Sequence, residues 1–244
     1  MRPLKISGHL HPLTCTTRAA VAIFAKLGFT VVSGPEIELA SYNFDRLNFP
    51  LDHPARDMQD TLWIDQAQTQ VMRTHTSNVQ IRAMERFEPP VRFIVPGRVY
   101  RNENPDATHG IDFFQLEGFV VDRAITFAHL LTTLETFAKE LFGQDTAVRF
   151  RPSYFPFTEP SVEMSAQVGG RWLELVGAGM IHPNVIREMK PKGQSLDPTI
   201  WSGFAFGFGL DRLMMIRYGI QDVRLSYSGD FRFLKQFPGA EGAV

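Results

Sequence analysis

A single cysteine, Cys15, is the first scarcity of this chain, and it excludes an intrachain disulfide and any cysteine-rich zinc site. Long apolar runs are missing as well: no stretch approaches the roughly 18 residues needed to span a bilayer. No charged-then-apolar leader with a small-residue cleavage site opens the sequence. A lone thiol and no membrane segment are what a cytoplasmic protein shows. Charge of one sign is also scarce. With 25 Lys and Arg against 26 Asp and Glu, the net charge is −1, so no strong non-specific pull toward nucleic acid or anionic membranes is expected of this chain. Internal repeats, low-complexity tracts and linkers are absent. No motif supports a Ser-His-Asp or Cys-His arrangement. His53 and Asp57 stand four apart, but Pro54 between them argues against a helical metal pair.

What the chain has is enough apolar material for a sizeable core: 44% of its 244 residues are hydrophobic and 21% are charged. Aromatic packing is expected to be heavy and mostly apolar, with 21 Phe against five Tyr. A first helix is predicted after His11-Pro12, capped by Thr14 or Thr16, with a stripe of Ala20, Ile23, Phe24 and Leu27 that stops at Gly28. A short strand, FTVVS, ends at Gly34-Pro35. Residues 41–64 are irregular. The polar stretch Arg73 to Gln80 leads into a helix; it reads either as a capping cluster built on Thr76 or Ser77, or as a site for a charged ligand. VRFIVPGRVYR is predicted as a strand broken at Pro96-Gly97. A long regular helix runs from Thr126 to Phe142 and ends at Gly143. Phe155-Pro156-Phe157 is expected as an extended segment holding two rings. The stretches VEMSAQV and RWLELV are predicted as a hairpin turning at Gly169-Gly170, followed by a glycine-rich corner at GAG. GFAFGFGLDRL is a glycine-bearing strand that flows directly into a helix. A G-x-G there lacks the third glycine of a dinucleotide loop. Hairpin-linked strands with helices at both ends and one long crossing predict an α+β protein, an antiparallel sheet flanked by helices. The whole of 1–244 reads as one domain, with 1–10 a short N-terminal extension.

The most informative stretch runs from Arg98 to Val121. Two strand-like ends flank a loop of turn formers, with Arg101 and Glu103 where the first strand runs out and His109 near the loop's end. Phe113, Gln115 and Glu117 fall at i, i+2 and i+4, so a strand places them on one face. An aromatic ring, an amide and a carboxylate on one face, with an arginine brought back by the hairpin, suit a charged ligand with a flat ring. Arg101, His109 and Arg212 on one side, and Glu103, Glu117, Glu159 and Glu174 on the other, all lie beside strand-like segments. Guanidinium groups with nearby carboxylates are the groups that phosphoryl or nucleotidyl transfer uses, the carboxylates carrying Mg²⁺.

Three segments resemble the three signature motifs of class II aminoacyl-tRNA synthetases. They are LGFTVVSGPEIE, with Pro35; YRNENPDATHGIDFFQLEG, with Arg101, Glu103, His109 and Phe113; and GFGLDRL, with Arg212. RTHTS, VPGRVYR, DATH, FFQLEG, YFPFTEPS, GAGMIHP and GFAFGFG further resemble the family of bacterial phenylalanyl-tRNA synthetase α subunits, over nearly everything from His11 to Phe237. The resemblance implies ATP-dependent activation of L-phenylalanine, release of pyrophosphate and transfer of phenylalanyl to tRNA(Phe), with a β subunit in an α₂β₂ assembly. By resemblance, Arg101 would stabilise the α-phosphate, His109 would face the outer phosphates, Glu103 would contact adenine, and Phe113 and Arg212 would cover its two faces. His75, Ser77, Gln115 and Glu117 would hold the amino end of phenylalanine, and Phe155 and Phe157 its ring. Ala205, Gly207, Gly177 and Gly179 would form the pocket floor. Glu159 would be a Mg²⁺ ligand shared with the β subunit.

The sequence departs from that family at three places. Residues 1–10 stand where members usually carry a long helical hairpin used on tRNA, Phe114 stands where relatives commonly have His, and Asp211 where Glu is more usual. Two alternatives stay open beside the α subunit: a paralogue that activates an amino acid without charging tRNA, and a non-catalytic partner that kept the fold.

Overall fold

The computed structural model describes residues 10–56, 61–102, 106–107 and 110–237. Nine strands carry it: β1 (Thr30–Val31), β2 (Ile37–Leu39), β3 (Gln70–Met72), β4 (Val91–Tyr100), β5 (Asp112–Asp122), β6 (Val148–Phe155), β7 (Thr158–Val168), β8 (Arg171–Ile181) and β9 (Ser202–Gly209). The α-helices are α1 (Pro12–Lys26), α2 (Ala40–Asn43), α3 (Asn78–Arg86), α4 (Phe127–Phe142), α5 (Pro183–Glu188), α6 (Leu210–Tyr218), α7 (Arg224–Tyr227) and α8 (Phe231–Leu234). Seven strands form one sheet in the order β1-β4-β5-β9-β8-β7-β6, and β2 with β3 makes a separate ribbon. The expected antiparallel sheet with flanking helices is present, with one amendment. Strand β1 runs parallel to β4 at the edge, because the chain returns to it only after residues 32–90 have crossed over. Every other neighbouring pair in the sheet is antiparallel.

Period-two alternation divides β9 between two cores. Phe204, Phe206 and Phe208 point to one face, where α1, α4 and α6 cover them. There Phe24 stacks on Phe137 at 4.7 Å and on Phe206 at 5.0 Å, and Phe137 meets Phe208 at 4.9 Å. Each ring buried this way contributes about 1.5–3 kcal/mol over leaving it exposed. Ala205 and Gly207 point to the other face. A second core of Val79, Met84, Val95, Phe119, Val185 and Ile186 covers part of that face under α3 and α5 and leaves the rest open.

Several local expectations need correction. Helix α1 starts earlier than Thr14: His11 is its N-cap, its Nδ1 accepting from the Leu13 amide at 3.1 Å, with Pro12 at the first helical position. Thr16 is spent inside the helix, donating to the Pro12 carbonyl at 3.0 Å. Strand β4 does not break at Pro96-Gly97, which pair with Leu116 and Gln115. Alternate residues of β4 turn their backbone outward, as Tyr100 does in donating to the Arg73 carbonyl, and β1 reaches only Ile94. The amide that Pro96 lacks would therefore face a side with no strand. The GAG segment is not a corner: β8 runs through it to Ile181. Pro156 and Phe157 are not extended but form the tight turn between β6 and β7, since Phe155 pairs with Thr158. Other expectations hold. Thr126 caps α4, Gly143 follows it, and Gly169-Gly170 closes the β7–β8 hairpin with φ of +57° and +76°.

Candidate active site

On the open face of the sheet lies a cavity of about 580 Å³. Its floor is a row across four strands, where Glu117 on β5 pairs with Gly207 on β9, Gly207 with Gly177 on β8, and Gly177 with Glu163 on β7. Gln115 and Ala205 flank the row. The glycines keep it open: a Cβ on Gly207 would lie 2.9 Å from Gln115 Nε2, and one on Gly177 would lie 2.8 Å from Phe155 Cζ. Aromatic rings make the wall. Phe155 and Phe157 lie 5.9 Å apart, Phe157 meets Phe49 at 5.6 Å, and Phe49 stacks on the His75 imidazole at 5.8 Å with an angle of 3°.

A hydrogen-bonded polar cluster centred on Glu117 shares this lining with the rings. Ser77 Oγ donates to Glu117 Oε1 at 2.8 Å, and Gln115 Nε2 donates to the same oxygen at 2.9 Å. Ser77 is at the N-cap position of α3, yet its hydroxyl makes no capping bond. The capping reading of the Arg73–Gln80 stretch therefore fails at Ser77, whose hydroxyl turns to Glu117 on the cavity lining. Burial pushes the Glu117 carboxyl up to about 7, although hydrogen bonds from Ser77, the Thr76 backbone and Gln80 and the charge of Arg73 pull it back. His75 goes the other way. Burial holds it down at about 3, and the nearby charges of Arg101 and Arg73 add to that, so its ring is neutral at physiological pH. Arg73 is buried behind them, donating to the carbonyls of Arg98 at 2.7 Å, Gly34 at 3.0 Å and Pro35 at 3.3 Å. It fixes the end of the first motif against β4, and its guanidinium leaves no room for a Cβ on Gly97.

Arg101 also lines the cavity, close enough to His75 for its charge to act on that ring. Its Cζ lies 5.1 Å above the Phe113 ring, and its Nε meets the Thr74 carbonyl at 3.4 Å. Phe113 is half-buried at the start of β5, beside the cavity and not on its lining. Arg212 stands exposed in the first turn of α6, just past Gly209, the partner of Gln115, and also outside the lining. Glu103 and His109 lie outside the described residues. Gly179 does not reach the cavity. A Cβ there would lie 2.6 Å from both the Pro160 carbonyl and Thr158, so its smallness serves strand packing. Glu159 is also away from the cavity, 75% exposed, with His182 Nε2 at 3.5 Å. Among the described residues no three His, Cys, Asp or Glu side chains gather as metal ligands. Mg²⁺ takes one or two protein carboxylates and fills its octahedral shell with water and phosphate oxygens, a role that an exposed carboxylate such as Glu159 fits.

Sequence reasoning missed Phe49, Thr74, Gln80 and Glu163 among the cavity residues. Phe49 had no signal. It comes from an irregular stretch held in place by Asn48, which adopts a left-handed conformation (φ 62°) and donates to the Pro156 carbonyl at 2.7 Å. Glu163 had one: Glu163, Ser165 and Gln167 alternate with buried Val162, Met164 and Ala166, which marks a polar face in register with Gly177.

A buried carboxylate held by a hydroxyl and an amide, aromatic rings on the wall and a guanidinium on the same lining suit a zwitterion with an aromatic side chain. Comparison with known proteins gives the family. The family model described as the tRNA synthetases class II core domain (F) matches residues 2–237. The phenylalanine–tRNA ligase alpha subunit of Clostridium beijerinckii is 50% identical over 245 residues, covering 96% of this chain and 70% of that protein. Its namesake from Clostridium botulinum is 49% identical with the same coverage. Among solved structures, the pyrrolysyl-tRNA synthetase of Desulfitobacterium hafniense superposes with a TM-score of 0.69 at 20% identity, over 98% of this chain and 79% of that one, and so shares the fold. With the motifs, the sheet and these relatives in agreement, the chain belongs to the class II aminoacyl-tRNA synthetases, in the family of phenylalanine–tRNA ligase alpha subunits.

Proposed function

We propose that this chain, as one catalytic domain, activates L-phenylalanine with ATP and passes it to tRNA(Phe), working with a β subunit in an α₂β₂ assembly in the cytoplasm. The observation that carries it is the lining of the cavity: Glu117 held by Ser77 and Gln115, the rings of Phe49, Phe155 and Phe157, and the guanidinium of Arg101 share one chamber. Phenylalanine in that chamber puts its ammonium on Glu117 and its ring against Phe155 and Phe157. Its carboxylate then points toward Arg101. A carboxylate oxygen attacks the α-phosphorus of ATP, the bond to the bridging oxygen breaks, and the electron pair leaves with pyrophosphate. Arg101 neutralises charge on the α-phosphate as it develops. The same guanidinium over Phe113 presents a cation–π surface on which adenine can be held.

Placing an ammonium beside Glu117 also offsets the desolvation that raises its carboxyl, so ligand binding and ionisation of Glu117 reinforce each other. Neutral His75 packs against Phe49 and adds no positive charge that would repel the ammonium. Arg212 and the residues outside the described segments, Glu103 and His109, are assigned to the nucleotide. Glu159 is a candidate carboxylate for Mg²⁺ shared with the β subunit, and no step above passes through that ion. The experiment is aminoacylation: the chain co-produced with a β subunit, ATP, labelled phenylalanine and tRNA(Phe). Acid-precipitable phenylalanyl-tRNA is expected. Pyrophosphate release without charged tRNA moves the reading to activation for another acceptor, and neither product removes it.

A further inference from the structure

Strand β9 leaves the sheet at Gly209, opposite Gln115, and turns at once into α6. The next amide of β5, that of Phe114, therefore has no ladder partner on that side, and an unpaired strand amide is costly. Asp211 takes it: its Oδ2 accepts from Phe114 N–H at 2.6 Å. Its other oxygen, Oδ1, accepts a short hydrogen bond from the Tyr227 hydroxyl on α7. Asp211 is 5% exposed. A carboxylate in the first turn of a helix is commonly just a favourable charge for the helix dipole. This one spends both oxygens on segments outside its own helix. One of them lies beside Phe113, and the next residue along α6 is Arg212.

We propose that Asp211 and Tyr227 are positioning residues for the nucleotide half of the site, setting the spacing between Phe113 on β5 and Arg212 on α6. This rests on the activation of an amino acid with ATP proposed above. The segment that carries Tyr227 is itself anchored on both sides. Val223 N–H donates to the Ala107 carbonyl at 2.8 Å, tying it to the β4–β5 connection, and His11 Nε2 donates to the Ser226 carbonyl at 2.9 Å, tying it to the start of α1. Tyr227 is thus a fixed strut, and Asp211 transmits its position to the strand. Burial and the Asp211 charge push the Tyr227 phenol upward, so it keeps its proton and donates throughout the neutral range. Burial also raises the Asp211 carboxyl, while Tyr227 and the Phe114 amide pull it back.

The test uses the chain assembled with its β subunit and phenylalanine-dependent exchange of pyrophosphate into ATP, with KM measured for each substrate. Tyr227→Phe removes one oxygen from a partly exposed ring and should leave folding intact. It is expected to raise KM for ATP about tenfold while KM for phenylalanine moves less than about twofold, because only the nucleotide side is displaced. Asp211→Asn should act in the same direction, and Asp211→Glu should restore ATP use to within about threefold, since a longer carboxylate can still accept both bonds. Exchange of the Phe114 amide with solvent deuterium should speed up in Tyr227→Phe. Equal changes in both KM values, no change in either, or an unaltered Phe114 amide would overturn the assignment. A parent enzyme with no exchange activity would instead count against the functional proposal, and the Phe114 amide would then decide the positioning link by itself.

Discussion

Replacing Glu117 by Gln should raise stability and remove activity together. The parent carboxyl is fully buried and rises from 4.5 to about 7 on folding. A raised carboxyl means that between those two values the native state keeps a proton the unfolded chain has lost. Stability therefore falls as pH climbs from 4.5 to about 7, and above that the full cost of holding the charge is present. That cost is about 3 kcal/mol, offset below pH 4.5 where both states are protonated. A glutamine fills the same space, carries no charge to desolvate and can still accept from Ser77 and Gln115, while its amide nitrogen turns toward the Thr76 and Gln80 donors and gives back part of that gain. At pH 8 the variant should melt higher than the parent by roughly 5–10 °C, and at pH 4.5 the two should nearly coincide. The same change leaves the phenylalanine ammonium without its counter-charge, so kcat/KM for phenylalanine should fall about a hundredfold or more. Thermal unfolding of the ligand-free protein at the two pH values reads the first effect, and pyrophosphate exchange reads the second. If Glu117→Gln is less stable than the parent at pH 8, the carboxylate is a structural ion and not a stored ligand contact.

Three further outcomes follow from the same geometry. KM for phenylalanine should rise as pH falls through about 7, where Glu117 takes up its proton, whereas KM for ATP stays flat over that range; a phenylalanine profile without that break would misplace the ammonium site. Ala205→Gly should admit para-substituted phenylalanines by opening the floor beside Gly207, and unchanged use of those analogues in exchange assays would put the floor elsewhere. Phe24→Ala, at the centre of the stacked rings beneath α1 and α4, should cost about 3–5 kcal/mol in denaturant unfolding while leaving both KM values near the parent's; a shift in either KM would mean that this core sets the site.

The parts of the site that were legible in the sequence are those that period-two alternation controls. Phe113, Gln115 and Glu117 share a face because β5 is a regular strand, and Ala205 and Gly207 separate from Phe204, Phe206 and Phe208 for the same reason. Gly169-Gly170 was legible because two positive φ values in a row leave few other residues. What was not legible depends on contacts distant in the chain. Phe49 enters the wall only through the Asn48 side chain reaching Pro156, more than a hundred positions away. His11 caps α1 in part because Ser226 receives its other nitrogen. Pro96 reads as a break unless it is known that β1 stops at its second residue. Asp211 read as a mild replacement for Glu, and its partners Phe114 and Tyr227 emerge only once β9 is seen to leave the sheet.

The claim that this cavity activates phenylalanine is tested most directly by exchange of labelled pyrophosphate into ATP, catalysed by the chain assembled with its β subunit. Phenylalanine should drive exchange strongly, tyrosine far more weakly, and omission of the amino acid should abolish it. Exchange that proceeds equally with tyrosine, or none with phenylalanine when the β subunit is present, would contradict the account.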